Sequence, residues 1–310
     1  MLRILARGGG EAAKADDPNV VWIDLDNPTP EEEASVETAL GIDVPTPTER
    51  AAFEDSSRFY EDDGALFLTA TLLGRRDEGP FVSGAITFVL VKDKLVTVRQ
   101  INPRAFEIGK TRASARIGSA KNGADALMAL LEGVIERHAD LLAENTRDMN
   151  AFSASLFGQD ETHDLRARLR ALGRIGAITA LVHDSLSSLQ RLAAFARHAC
   201  TRHGLDEALL TVFRRDVEEL EHFAETLQNR IAYLQDATLG IINSTQTDVL
   251  KALSVATIAF VPPTLIASIF GMNFTAMNWF QAPWGPWVAF LMMVAAPAAL
   301  FGIAKWRRWF

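Results

Sequence analysis

The pattern of apolar and polar residues changes twice along the chain. Short runs rich in β-branched and aromatic residues recur between residues 20 and 100, which is typical of strands. From about residue 123 to residue 204 the apolar residues recur every three or four positions, which predicts amphipathic helices. The last acidic residue is Asp248, and two long apolar stretches follow it. The pattern therefore predicts an α/β region, a helical region and a membrane region, in that order.

The first region, residues 1–120, is predicted to be a cytoplasmic α/β domain. Its strands are predicted at residues 20–25, 65–73, 84–91 and 94–100, and a tight turn at Lys92-Asp93 joins the last two as a hairpin. A helix is predicted to follow the first strand, with Thr29 as its N-cap, Pro30 in its first position and Glu32 completing a capping box. These are features of a scaffold, and no catalytic motif lies on them.

The second region predicts an antiparallel helical hairpin at residues 121–204. An amphipathic helical pattern extends over residues 125–157 and again over residues 165–198, and the segment 158–164 separates the two. His198, Cys200 and His203 follow at i, i+2 and i+5, a spacing that does not suit metal ligation from one helix face. We therefore interpret these three residues as a surface helix end rather than a transition-metal site.

A long third helix is predicted from residue 205, because no proline occurs before Pro262. Its part up to residue 251 is interpreted as a stalk. A seam of mostly apolar residues on this helix follows an unbroken alternation of four- and three-residue steps, as in a coiled coil. The seam comprises Phe213, Val217, Leu220, Ala224, Leu227, Ile231, Leu234, Thr238, Ile241 and Thr245. Packing on the preceding hairpin and parallel association of several copies both account for the seam, and the sequence leaves the two open.

Two uncharged apolar stretches, residues 252–270 and 287–304, are predicted to cross a membrane. Each is close to the roughly 20 residues that a helix needs to span a bilayer core of about 30 Å. Lys251 precedes the first stretch, Lys305 begins a basic tail at 305–310, and the connection at 271–286 carries no charge. The positive-inside rule then places both termini in the cytoplasm and the connection outside. The flanking cations disfavour the alternative, a buried hairpin in a soluble core.

Composition narrows the classes of function. The 310 residues carry 39 Asp and Glu against 31 Lys and Arg, a net charge of −8, which disfavours a nucleic-acid partner. A single cysteine excludes an internal disulfide. The sequence contains no Gly-rich phosphate loop, nucleophile elbow or paired catalytic carboxylates, so we predict no enzyme, no catalytic residue and no organic cofactor.

A second stripe on the third helix combines small hydroxyl side chains with a few apolar ones. It comprises Asp236, Asn243, Thr247, Leu250, Ser254, Thr257, Val261, Thr264, Ser268 and Gly271. The steps of three, four or seven residues place all of them near one face of a helix. Such side chains also mediate ordinary helix packing in membranes. Their alignment with Asp236 at one end and Asn273 at the other favours instead the lining of a narrow, mildly polar tube.

The stripe ends at Gly271-Met272-Asn273, within the segment PPTLIASIFGMNF. Between two short spans near the C-terminus, this motif resembles that of the CorA-type magnesium transporter family, the CorA/ZntB-like divalent metal ion transporters. The resemblance covers essentially the whole chain, with WIDLDNP and FYEDDGALFLTATLL as weaker matches to the family's cytoplasmic domain. It implies an α+β cytoplasmic domain (an α/β sandwich), a long stalk helix and two transmembrane helices, assembled as a funnel-shaped homopentamer in the inner membrane. It also implies Mg²⁺ uptake driven by the membrane potential.

The resemblance implies roles for individual residues. Gly271, Met272 and Asn273 would form the selectivity filter, in which Asn273 offers a side-chain oxygen to hydrated Mg²⁺ and the other two shape the turn. The implied pore-lining residues are Asp236, Asn243, Thr247, Thr257, Thr264 and Ser268, with Asp236 as an acidic ring at the cytoplasmic mouth. Leu250, Leu253 and Val261 would form a hydrophobic gate. Regulatory Mg²⁺ would bind between neighbouring subunits, and the candidate ligands are Asp216 and Glu219, beside Glu218 and Glu221.

The segment after the motif, FTAMNWFQAPWGPW, departs from the family, which often carries a carboxylate there. Weaker attraction of cations is therefore expected at this mouth. The doubled proline at 262–263 is expected to bend the pore helix. One alternative function is transport of Zn²⁺ coupled to protons, as in ZntB-type relatives, or of Co²⁺ or Ni²⁺; Met272 favours Mg²⁺ over Zn²⁺. A non-conducting, membrane-anchored oligomeric sensor is the second alternative.

Overall fold

The structure, a computed structural model, describes residues 1–8, 10, 12, 14–50, 58–76, 79–107, 116–157, 165–272 and 283–307. The chain forms two compact units, Met1–Gln235 and Asp236–Phe310. The helices are α1 (Pro30–Leu40), α2 (Pro47–Arg50), α3 (Gly123–Phe157), α4 (Leu165–His203), α5 (Glu207–Phe270) and α6 (Gly285–Trp306), and a 3₁₀ turn lies at Arg104–Phe106. The first unit contains the sheet, its covering helices and the beginning of α5, and the second contains the apolar remainder of α5 and α6.

A six-stranded sheet organises the first unit, in the order β1-β2-β6-β5-β4-β3. The strands are β1 (Leu2–Ala6), β2 (Val20–Asp26), β3 (Phe59–Asp62), β4 (Ala65–Arg75), β5 (Phe81–Val91) and β6 (Lys94–Arg99). β2 and β6 pair in parallel, and the other neighbours pair antiparallel. Lys92 and Asp93 have φ values of 48° and 62°, which are typical of a two-residue hairpin turn. The predicted hairpin is therefore confirmed, whereas β1 and β3 have no counterpart among the predicted strands.

Helix α1 covers one face of the sheet, where Val36 and Leu40 join strand residues in a buried apolar cluster. Thr29 Oγ1 accepts from Glu32 N at 3.3 Å, and Glu32 Oε2 accepts from Thr29 N at 3.0 Å. The predicted capping box is therefore confirmed, with Pro30 in the first turn. This local arrangement fixes where the helix begins and so which side it turns to the sheet.

Helices α3 and α4 run antiparallel to each other. Asn145 Nδ2 donates to Thr179 Oγ1 at 3.0 Å, and Arg168 Nη1 donates to Ser155 O at 2.8 Å. Residues late in one helix thus contact residues early in the other. The pair also contacts the sheet, since the backbone N–H of Thr71 in β4 donates to Ser188 Oγ of α4 at 2.8 Å.

The first part of the predicted seam on α5 is buried within its own chain. Phe213, Val217, Ala224, Leu227, Ile231 and Leu234 are each at most 4 % exposed. Arg230 Nη2 donates to Asn150 Oδ1 of α3 at 3.2 Å, and a Cβ placed on Gly176 of α4 would lie 3.5 Å from Ile231 Cγ2. The seam therefore packs on the α3–α4 hairpin as far as Leu234, and this part requires no second copy. Farther along, Thr245 is exposed.

A buried ion pair joins β2 to β6 and gives a structural role to the acidic residues of the WIDLDNP segment. Asp24 Oδ2 accepts from Arg99 Nη2 at 2.9 Å, and the two side chains are 0 % and 1 % exposed. Asp26 Oδ2 lies 3.0 Å from the same nitrogen, and Arg99 Nη1 donates to Ile101 O at 2.9 Å. Because the guanidinium has several partners, its charge is compensated inside the sheet.

Candidate ion-conduction site

The apolar part of α5 and helix α6, both in the second unit, are long enough to cross a membrane and are barely covered by protein. The most apolar 18-residue window of α5 is 0 % buried, and that of α6 is 11 % buried. A hairpin in the core of a soluble protein would be covered, because exposing so much apolar surface to water is unfavourable. Composition and exposure together therefore favour membrane spans over a core hairpin.

Within the second unit, α5 has two unlike faces. One face is half-buried and comprises Val255, Ile258, Ala259, Pro262, Pro263, Ile266 and Phe270. The stripe lies on another face, and all of its residues from Asp236 to Gly271 are exposed. With about 3.6 residues per turn, the centres of the two faces are on the order of 150° apart. The helix therefore half-buries one side and presents the stripe on the other. α5 is continuous through Pro262-Pro263, and the predicted bend there stays a prediction.

The hydroxyl groups of the stripe all donate to the backbone carbonyl four residues earlier. The donors are Thr247, Ser254, Thr257, Thr264 and Ser268, at oxygen–oxygen distances of 2.8, 2.8, 2.9, 2.6 and 2.8 Å. Because each proton is already donated to a carbonyl, each hydroxyl oxygen presents lone pairs to the exposed side. Water molecules around a cation point their hydrogens outward. The stripe therefore suits contact with a hydrated cation better than contact with an anion.

Apolar side chains interrupt the stripe. Leu250, Leu253 and Val261 are 62 %, 62 % and 56 % exposed, on or next to the stripe face of α5. In a narrow pore, rings of such side chains can exclude water and block ions until the pore widens. Asp236 and Asn243 are also exposed on this face, towards the beginning of the second unit.

The predicted selectivity motif begins where α5 ends. The backbone N–H of Gly271 donates to Ala267 O at 2.9 Å, and that of Met272 donates to Ile269 O at 3.3 Å. Gly271 does not have a positive φ, so the helix end here is not a left-handed turn. Asn273, the residue expected to contact the ion, lies outside the described residues.

The candidate regulatory residues do not form a metal site within one chain. Asp216, Glu218 and Glu219 are exposed, and Glu219 Oε1 lies 3.0 Å from Arg215 Nε in an ion pair along the helix. In the part of the chain that the structure describes, no group of three or more His, Cys, Asp or Glu residues could hold a metal ion. The assignment of Asp216 and Glu219 therefore stays a prediction.

The expectation of a surface helix end at His198, Cys200 and His203 is wrong for the cysteine. α4 does end at His203, and His198 is exposed. Cys200, however, is buried, and its thiol donates to Ala196 O with an Sγ–O distance of 3.3 Å. The reason is that the last turns of α4 turn Ala196, Ala199 and Cys200 into the core. Burial raises the pKa of the Cys200 thiol and keeps it protonated, which disfavours metal ligation.

Known proteins resemble this chain over nearly all of its length. The family model described as CorA-like Mg²⁺ transporter protein matches residues 17–305. The magnesium transport protein CorA of Wolinella succinogenes is 30 % identical over 296 residues, which cover 93 % of this chain and 91 % of that protein. Its counterpart in Escherichia coli K12 is 28 % identical over 291 residues, which cover 94 % and 92 % of the two chains.

The fold is shared with a solved structure as well. The CorA magnesium transporter from Methanocaldococcus jannaschii superposes with a TM-score of 0.74 over 98 % of both chains, at 17 % sequence identity. The expected fold class, an N-terminal α/β domain followed by a long helix and a C-terminal apolar helix, is thereby confirmed. The chain therefore belongs to the CorA-like Mg²⁺ transporter family, a family of transmembrane transporters of divalent cations rather than of enzymes.

Proposed function

We propose that this protein is a homopentameric channel for Mg²⁺ uptake across the cytoplasmic (inner) membrane. The observation that carries the proposal is the exposed stripe of α5, whose hydroxyl groups donate to the helix backbone and leave their oxygen lone pairs free to accept, and which leads to Gly271-Met272-Asn273. Relatives that bear the name magnesium transport protein support Mg²⁺ as the substrate. Several copies of the stripe around one axis would line a tube, whereas the two spans of one chain cannot enclose a pore.

The proposed arrangement in the membrane follows the charges that flank the spans. Lys251 and Lys305 are exposed, one before the first span and one after the second, so both ends lie on the cytoplasmic side. The α/β domain (1–120), the hairpin (121–204) and the stalk (205–251) are then cytoplasmic. The proposed membrane parts are the pore helix 252–270, the external loop 271–286 and the second span 287–304, followed by a cytoplasmic tail at 305–310.

The proposed permeation mechanism keeps the ion hydrated. Mg²⁺ loses its inner water molecules reluctantly, so a site that strips them would hold the ion or exclude it. Neutral oxygens along the stripe, and the side-chain oxygen of Asn273 at its outer end, can accept hydrogen bonds from the inner water molecules instead. The membrane potential supplies about 2.3 kcal/mol per charge per 100 mV, or about 4.6 kcal/mol for a divalent ion. Inward movement therefore needs no ATP hydrolysis.

The proposed gate is the set of apolar side chains on the stripe, Leu250, Leu253 and Val261. When these rings are narrow, water withdraws from the pore and a hydrated ion cannot pass. Intracellular Mg²⁺ would hold the closed state by binding between cytoplasmic parts of neighbouring subunits. Asp216 and Glu219 remain the proposed ligands, and Glu219 would have to exchange its Arg215 partner for the ion.

Ion flux into liposomes tests the proposal. The purified protein is reconstituted with an Mg²⁺-sensitive dye inside, and entry of Mg²⁺, Zn²⁺ and Co²⁺ is compared with and without a potential set by K⁺ and valinomycin. We expect Mg²⁺ entry driven by the potential, which Asn273→Ala abolishes while the assembled size stays unchanged. Asn278→Ala replaces the same residue type in the same loop and should leave entry intact.

The other results of this experiment each contradict the proposal. Normal Mg²⁺ entry with Asn273→Ala would refute the selectivity filter. Entry of Zn²⁺ alone, driven by a pH gradient, would assign the protein to zinc transport. Assembled protein that passes no ion would favour the membrane-anchored sensor.

A further inference from the structure

A cavity of about 570 Å³ in the first unit is lined by several arginine side chains. It lies beside α2 and α4, where β4 and β6 end and β5 begins. Its ionisable lining residues are Arg50, Arg58, Arg76, Arg191, His183 and Asp184. Within the described part of the lining, Asp184 supplies the one carboxylate beside four arginines. The volume is typical of small-molecule sites, which range from roughly 300 to 1,000 Å³.

Arg50 lacks a full set of partners although it is buried. The residue is 4 % exposed, and its Nη1 has no hydrogen-bond partner among the residues that the structure describes. Burial lowers the pKa of Arg50, and the nearby Glu33 carboxylate opposes that shift, but a guanidinium stays protonated at any physiological pH. A buried charged donor without a partner is unfavourable. An anion in the cavity would supply the missing acceptor.

The other cationic groups are positioned around the same space. Arg58 is 6 % exposed, and its Nη2 donates to Thr71 Oγ1 at 3.1 Å, which fixes it on the sheet. Arg76 and Arg191 are exposed and lie at the mouth of the cavity. His183 lies between two carboxylates, 3.8 Å from Asp184 and 3.8 Å from Glu225. The side chain of Asp184 is 68 % exposed, so solvent screens its charge from the buried arginines.

We propose that this cavity binds inorganic phosphate or a small polyphosphate. Guanidinium groups present paired N–H donors that match two oxygens of a phosphate group, and the buried Nη1 of Arg50 is such a donor without a partner among the described residues. The described lining contains no Phe, Tyr or Trp on which a nucleobase could stack, so the phosphate group itself is recognised. The site lies on the cytoplasmic domain and is independent of the proposed conduction pathway.

Calorimetric titration of the full-length protein in detergent tests this site. Pyrophosphate, inorganic phosphate and citrate are titrated separately in Mg²⁺-free buffer at constant ionic strength. We expect pyrophosphate or phosphate to bind the wild type more tightly than citrate does. Arg50→Met should weaken that binding at least about 10-fold, because it removes a charged hydrogen-bond donor from the site.

Two further variants make the result interpretable. Arg197→Met is the matched control, since Arg197 also lies on α4 but pairs with Glu207 at 3.7 Å and does not line the cavity. Arg191→Met changes an exposed residue of the cavity lining, and it replaces Arg50→Met as the test variant if Arg50→Met does not fold. Thermal unfolding without ligand checks folding, and Arg50→Met should melt no lower than the wild type because it removes a buried charge. Equal affinities in the lining variants and in Arg197→Met, tighter binding of citrate, or no binding of either phosphate would each overturn the proposal.

Discussion

Replacement of Thr264 by valine tests whether the hydroxyl stripe of α5 contacts the ion. Thr264 Oγ1 donates to Phe260 O at 2.6 Å, so its proton is used within the helix and its oxygen can accept on the exposed side. Valine has nearly the same shape but offers no acceptor. The substitution therefore removes one acceptor per subunit from the proposed pore while the backbone hydrogen bonds of α5 remain.

The expected magnitude follows from the hydrogen bonds that the hydrated ion loses. A hydrogen bond to one hydroxyl is worth about 0.5–1.5 kcal/mol net. In the proposed pentamer, an ion passing a ring of five such groups contacts one or two of them at a time, so the barrier should rise by about 1–2 kcal/mol. Since about 1.4 kcal/mol corresponds to a factor of ten, Mg²⁺ entry should slow about 5- to 30-fold.

The assay is the initial rate of potential-driven Mg²⁺ entry into liposomes at equal protein content. Thr245→Val is the matched control, because Thr245 is also exposed on α5 and donates to Ile241 O at 3.0 Å but does not belong to the stripe. The same change of residue type should alter entry less than about 2-fold there, well under the effect of one hydrogen bond. Equal rates for the two variants, whether both normal or both slow, would show that the stripe does not line the pathway.

The remaining predictions concern the gate, the sheet and pH. Leu250→Ser should let water into the proposed constriction, so that Mg²⁺ entry continues at internal Mg²⁺ concentrations that close the wild type; unchanged closure would contradict the gate. Asp24→Ala leaves Arg99 buried without its main partner, so the free energy of unfolding in denaturant titrations should fall by about 3–5 kcal/mol. A loss below about 1 kcal/mol would refute the stabilising role of the pair. Burial lowers the pKa of His138 to about 4 in the folded protein, whereas an exposed histidine in the unfolded chain has a pKa of about 6.5. As the pH falls between these two values, the unfolded state binds the proton before the folded state does. The free energy of unfolding therefore decreases by about 3 kcal/mol over this range. His138→Gln should flatten that part of the curve of melting temperature against pH, and an unchanged curve would contradict this assignment.

Features that depend on neighbouring residues were predictable from the sequence. The capping box of Thr29 and Glu32 involves residues three positions apart, and the structure has it as predicted. The turn at Lys92-Asp93 is equally local, since two residues between two β-rich runs leave few other conformations. The two exposed apolar helices were also predictable, because two long stretches of the sequence carry no charge.

The seam on α5 illustrates a pattern that the sequence could not resolve. A heptad pattern specifies that one face of a helix is covered, but not which surface covers it. The structure places Ile231 against Gly176 of the same chain and thereby accounts for the seam up to Leu234. The stripe next to it stays exposed, so the fold of one chain does not decide what contacts it.

The sequence by itself determined the order of the regions, the two long apolar helices and the stripe along one face of α5, because each is a periodic or compositional property of consecutive residues. Only the tertiary structure decided which distant residues meet. Asp24 and Arg99 are 75 positions apart, and the arginines of the cationic cavity come from residues 50 to 191. A periodic pattern within one segment does not indicate such pairings, because they depend on strand register and on how α4 packs against the sheet. The chemistry of a helix face can therefore be predicted along one element, whereas a cavity exists only once several elements have packed.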